Sequence, residues 1–156
     1  MPLPDNPPPS ASAGGRILAL DVGARTLGLA VSDPLGITAQ GLETLRRRNL
    51  RSDLAHLERL LEQYQVAELV VGHPLRLSGQ PGAQAEKVAA FAERLRARFG
   101  RPVHLWDERL TSAQANRLLR ETEMSIRRRG QVVDRLAATL ILQSFLDCRA
   151  ARRAAP

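Results

Sequence analysis

The stretch Ala67 to Gly72, AELVVG, constrains this chain more than any other segment. Its apolar run is continuous rather than alternating, which is the pattern of a strand buried in a sheet covered on both faces. The rest of the sequence supplies neighbours and cover. Ile17 to Leu20, Leu27 to Val31 and a weaker extended stretch from Ile37 to Leu45 are each bounded by Gly, Pro or Asp, and they predict three strands of an antiparallel meander. Ser52 is the expected N-cap of a helix with Leu54, Leu57, Leu60 and Leu61 on one face and Glu58 and Glu62 on the other.

After the Gly/Pro-rich loop His73 to Gly82, a second amphipathic helix carries Val88, Phe91, Ala92, Leu95 and Phe99, with Gly100 as its stop. Val103 to Trp106 predicts a fifth strand. Thr111 with Gln114 three residues on forms a capping box for a third helix ending near Glu121, and the polar, basic stretch Thr122 to Gly130 reads as a loop. A last helix is expected from about Gln131 to Arg149, with Val133, Leu136, Ala137, Leu140 and Ile141 as its buried stripe. The order βββαβαβα predicts an α/β fold: a mixed five-stranded sheet with helices on its faces.

A length of 156 residues suits one domain. Residues 1–15 hold five prolines beside Ser, Ala and Gly and predict a disordered tail, leaving residues 16–150 as the domain and 151–156 as a C-terminal tail. Cys148 is the one cysteine, which excludes an intramolecular disulfide and any CxxC metal site. The sequence shows neither a membrane-length apolar run nor a signal peptide, and the expectation is a cytoplasmic protein.

Charge narrows the partners. Lys and Arg number 23 against 16 Asp and Glu, a net charge of +7 that favours polyanions, nucleic acid first among them. Lys87 is the sole lysine, so a compositional bias towards arginine contributes to that figure independently of phosphate binding. Aromatic residues make up 3%, too few for a base-stacking platform.

Acids stand at three places where chemistry could be done. Asp21 ends the first apolar strand, although Asp before Gly23 also suits a turn. Asp107 and Glu108 close the fifth strand, and because neighbouring strand residues face opposite ways, only one of them can join Asp21. Asp134 lies in the first turn of the last expected helix, where the macrodipole favours an acid, yet Ala138 and Ile141 place it on an inward-tending face. Oxygen ligands without Cys or clustered His suit Mg²⁺ or Mn²⁺ rather than zinc, and a pair of such ions is the machinery of phosphodiester hydrolysis.

LDVGARTLGLAVSDPLG, VVGHPLRLSGQPGAQAEKVAAFAERL, DERLTSAQA and VVDRLAATLILQSFLD occur in the order seen in the YqgF/RuvX-like family, and the chain resembles that family from about Arg16 to Asp147. These RNase H-fold proteins are described as pre-16S rRNA nucleases or Holliday junction resolvases. The resemblance implies a metal-dependent nuclease with Asp21, Glu108 and Asp134 as catalytic acids and metal ligands, and it selects Glu108 over Asp107. It favours an RNA precursor as substrate, with processing of the 5′ end of pre-16S rRNA as the role. Branched DNA, or a noncatalytic part in ribosome assembly, stand as alternatives. The chain departs from the family pattern at Thr26, with Arg25 one place earlier, at His73 and Arg76 in the glycine-proline loop, and at Gln131, where a lysine often precedes the third acid.

Arg127, Arg128 and Arg129 read as either a solvated loop or a nucleic-acid clamp; the polyanion partner favours the clamp. With Arg25, Arg76 and Arg109 they make up the expected nucleic-acid contacts. Asp33 before Pro34 is expected to form a turn, His56 and His104 to be structural, and Trp106 and Phe145 to be core. DVGARTLG also resembles the first phosphate loop of actin-like ATPases and sugar kinases, but such folds need two lobes. A junction resolvase would be a two-fold dimer and an rRNA nuclease need not be, so monomer and homodimer are both open.

Overall fold

The computed structural model describes residues 15–76, 78–110 and 126–154, with residues 110 and 126–135 described in backbone alone. The tail at 1–14, the capping box at Thr111 and the helix expected after it lie outside the described residues.

Strand β1 (Arg16–Val22) pairs antiparallel with β2 (Thr26–Ser32), and β2 pairs antiparallel with both β3 (Ala39–Gly41) and β4 (Leu45–Arg46). Helix α1 (Leu50–Gln63) leads to β5 (Val66–His73), which lies parallel to β1. Helix α2 (Ala83–Phe99) then leads to β6 (Val103–Asp107), parallel to β5. A single 3₁₀ turn, Glu108–Leu110, follows, and α3 (Ile126–Ala154) is the last element. The sheet order is β3-β2-β1-β5-β6, with β4 beside β2. The meander and the parallel crossovers are therefore as expected, and β5 lies inside the sheet between β1 and β6.

Three expectations need correction. The sheet has six strands rather than five, because the stretch Ile37 to Leu45 is broken in two. Ala30 faces Gly41 and Leu27 faces Leu45, so Gly28 and Leu29 oppose Leu42, Glu43 and Thr44. One extra residue on one side interrupts the ladder as a bulge does. Helix α1 is capped by Asn49, whose Oδ1 accepts from the Ser52 amide at 2.8 Å, rather than by Ser52 itself. Both are good capping residues, and Asn49 starts the helix a turn earlier. Helix α3 begins at Ile126 and runs to Ala154, so Arg127, Arg128 and Arg129 are helical rather than in a loop, and the helix passes the expected end at Arg149.

Alternation along the strands divides the core in two. Leu18, Leu20, Leu69, Val71 and Val103 face α1 and α2, where Leu57, Leu61, Val88, Phe91 and Leu95 meet them. Ile17, Ala19, Val70 and Trp106 face α3 through Ala137, Ala138, Ile141, Leu142 and Phe145. Small residues on that second face let the long helix lie close to the sheet. Trp106 and Phe145 meet edge to face at 5.4 Å, as core residues should. Asp33 forms the expected turn, its Oδ1 accepting from the amides of Ile37 and Thr38 at 2.6 and 2.9 Å.

Candidate active site

The alternation that puts Ile17 and Ala19 under α3 puts Asp21 there too, at the carboxyl end of β1. Asp21 is 5% exposed. One strand over, β5 runs parallel in the register Leu20 to Val71, so the next residue, Gly72, comes beside Asp21. Gly72 in turn pairs with Trp106 of β6, two residues before Glu108.

Gly72 needs to be glycine for a reason of space. A Cβ there would lie 2.7 Å from Glu108 Oε1 and 2.6 Å from Ile141 Cδ1. The Glu108 side chain therefore lies over the bare backbone of β5, between the sheet and α3, and it is 1% exposed. Two carboxylates from positions 21 and 108 thus reach one face of the sheet at the same end of parallel strands. Asp134 sits on the α3 backbone four and seven residues before Ala138 and Ile141, both fully buried against the sheet. Its side chain lies outside the described residues, and among the described residues no group of three His, Cys, Asp or Glu forms a metal cluster.

Asp107 goes to other work. Its Oδ2 accepts from Arg109 Nη2 at 2.7 Å and its Oδ1 from the Arg109 amide at 2.9 Å, with Nε bonded to both oxygens. Burial alone would raise the Asp107 carboxyl, but these bonds and the Arg109 charge hold it below the usual carboxylate range. Of the two neighbouring acids, Glu108 is the one whose carboxylate lies over Gly72. His73, paired in register with Asp107, is held below the usual imidazole value by burial, against the pull of the Ala85 backbone and of Asp107.

Of the expected nucleic-acid contacts, Arg25 is exposed in the β1–β2 turn and Arg76 is exposed in the loop after β5, near Gly82. Arg109 is committed to Asp107 and lies against Gly79. Arg127, Arg128 and Arg129 are placed on the first turns of α3, with their side chains outside the described residues. Sequence reasoning missed Gly72. The signal available was a glycine closing a buried strand, a mark of close approach by another group.

A mixed sheet in this order, with buried acids at the ends of its strands beneath a long helix, defines an RNase H-like protein. RuvC of Thermus thermophilus, solved with a Holliday junction substrate, shares the fold at a TM-score of 0.53 and 18% identity, over 87% of this chain and 96% of that one. A family model described as "RuvX: Holliday junction resolvase" matches residues 15–148, and the chain belongs to the RuvX family. A relative from Koribacter versatilis, named "Putative pre-16S rRNA nuclease", is 61% identical over 142 residues, which is 91% of this chain and 93% of the relative. A relative of the same name from Moorella thermoacetica is 58% identical over 132 residues, 85% of this chain and 94% of the relative.

Proposed function

We propose that this chain is a divalent-metal-dependent nuclease that hydrolyses phosphodiester bonds in a precursor of 16S rRNA, acting at the 5′ end in the cytoplasm. The observation that carries the chemistry is the Glu108 carboxylate folded over Gly72, on the face where Asp21 lies one strand away. The names of the relatives support the RNA substrate.

Asp21, Glu108 and Asp134 form an all-oxygen donor set, which fits Mg²⁺ or Mn²⁺, and these residues would hold the ions. When bound, such ions activate a water and stabilise the leaving oxygen of a phosphodiester. The chain's part is positional. Strand ends and a packed helix fix the acids, while the excess of arginine holds the polyanion by its phosphates. No helix among the described residues is long and apolar enough to cross a membrane.

The test is to incubate the purified protein, with Mg²⁺ and separately with Mn²⁺, against labelled pre-rRNA fragments and labelled four-way DNA junctions side by side. Cleavage of the RNA fragments at a discrete position, lost in EDTA, is the expected result. Cleavage of junctions alone would replace the RNA reading with that of a resolvase.

A further inference from the structure

On the side of the sheet away from α3, an open groove of about 780 Å³ runs between the β1–β2 turn, the β4–α1 connection and α2. Arg25, Arg46, Arg48, Lys87 and Arg94 line it, and all five are exposed. Arg46 and Arg48 also line a second groove that continues along α1 to Arg59. Among the described residues none of these six side chains makes an ion pair, whereas Arg47, between two of them, is used internally. It donates to the Gly23 carbonyl at 2.8 Å, pairs with Asp53 at 3.4 Å and lies over the Phe91 ring.

The charge of this track is not cancelled locally. Asp53, the acid of the larger groove, is buried and accepts from Arg47 and from the Arg48 amide. Glu43 is the acid of the smaller one. Six exposed cations that make no ion pair among the described residues and outnumber the acids of their grooves repel one another and cost stability unless a polyanion uses them. Phe91 and Leu50 are the large apolar side chains of the main groove, and Phe91 is buried under Arg47, so no ring is offered to a base.

Position matters as much as charge. The track starts at Gly23, two residues past Asp21, where Gln84 of α2 donates to the Val22 carbonyl at 3.1 Å. It therefore starts beside the strand end that carries Asp21 and continues along α1 and α2, on the side of the sheet away from α3. Lys87 and Arg94 stand two turns apart on α2, about 10 Å along the helix axis.

We infer that this groove is a second nucleic-acid surface, which holds the phosphate backbone of a double-helical arm of the substrate away from the bond that is cut. The inference rests on the proposed nuclease reading for the kind of partner. It adds a recognition that takes no account of base sequence, because an A-form arm keeps its base edges in a deep, narrow major groove and presents its phosphates to exposed guanidinium and ammonium groups.

The experiment measures binding of a short RNA duplex by fluorescence anisotropy over a range of salt, in EDTA so that no cleavage occurs. The full chain is compared with Arg46→Ala/Arg48→Ala/Lys87→Ala/Arg94→Ala and with the charge-keeping Arg46→Lys/Arg48→Lys/Arg94→Lys. The alanine variant, which removes four cations, is expected to lower the slope of log affinity against log salt by up to about 3.6, at ~0.9 for each phosphate that no longer meets a cation, and the lysine variant to keep it. A native circular dichroism spectrum and melting curve establish that each variant is folded. An unchanged slope in the folded alanine variant would overturn the proposal. So would loss of binding to vesicles of anionic phospholipid with RNA binding intact, because the surface would then belong to a membrane. Since no cleavage is read, a chain that binds through the track and cuts nothing would leave the groove standing and defeat the nuclease reading instead.

Discussion

Arg149 and Glu68, 81 positions apart in sequence, are joined at two points beneath α3: Nη1 donates to Oε2 at 2.9 Å and Nη2 to Oε1 at 3.0 Å. Oε1 also meets His104 Nε2 at 2.9 Å, and all three side chains are buried. Arg149 stacks on Phe145 at 4.6 Å, so the cluster ties the far half of α3 to the amino ends of β5 and β6.

Replacing one partner of this pair leaves the other charged and buried. Arg149→Met, which keeps much of the stem, is expected to lower unfolding free energy by about 3 kcal/mol, measured by urea denaturation at neutral pH. A loss near zero would show that Glu68 relaxes to water.

The same cluster sets a pH dependence. Burial would raise the Glu68 carboxyl, but its hydrogen bonds to His104 and Arg149, and their charges, hold it below its ordinary 4.5. A carboxyl lowered on folding contributes stability above its unfolded value and loses it as pH falls through the folded one. The acid-unfolding midpoint of Arg149→Met should therefore lie at higher pH than that of the wild type.

Asp21→Asn, Glu108→Gln and Asp134→Asn should each remove most cleavage, with native circular dichroism retained. Losses of about 100-fold or more are expected, and the triple variant should be little worse than the singles because the acids act as a unit. A triple variant within tenfold of wild type would displace the site.

Gly72→Ala puts a methyl group against Glu108 Oε1 and Ile141 Cδ1. Both are ends of side chains that can move, so the variant should fold with a loss of about 1 to 3 kcal/mol. Turnover should fall by more than the melting temperature suggests, because the group displaced is one of the proposed catalytic acids. Equal activity at saturating substrate would mean that Glu108 is not held by this contact.

Arg127, Arg128 and Arg129 occupy successive helical positions, which span roughly 200° of circumference. They therefore leave the backbone on more than one side of α3. Replacing them with alanine should flatten the salt slope of nucleic-acid binding by about 1 to 2 rather than 3. A full change of 3 would show that all three meet phosphates.

Element order could be read from the sequence because each of the longer strands carries a largely apolar run and each described helix a stripe: AELVVG lies inside the sheet and Gly100 ends α2 in the left-handed region at φ 62°. The bulge at Leu42 to Thr44 was hidden because it is a matter of register against β2, and a single strand carries no record of its partner's spacing. The start of α3 was misplaced for a related reason. Arg127 to Gly130 look like a loop by polarity alone, whereas polar residues extend a helix readily once its inner face is anchored by Ala138, Ile141 and Phe145. Asp21 and Glu108 were visible as acids at strand ends. What leaves room for Glu108 on the face of Asp21 is Gly72, whose role is to be absent as a side chain. The basic track is assembled from four separate stretches of chain, and only folding makes them one surface.

The split between β3 and β4 also bears on solubility. An outer strand of uniform register offers a row of unpaired amides and carbonyls on which another copy of the protein could add its own strand. Here the outer row is three residues, a kink and two residues, and the second piece ends in the exposed Arg46. A neighbouring molecule would find no straight template long enough to hold it, and would meet positive charge at the second piece. The break thereby keeps this edge of the sheet from seeding a fibre, at the cost of only a few ladder hydrogen bonds.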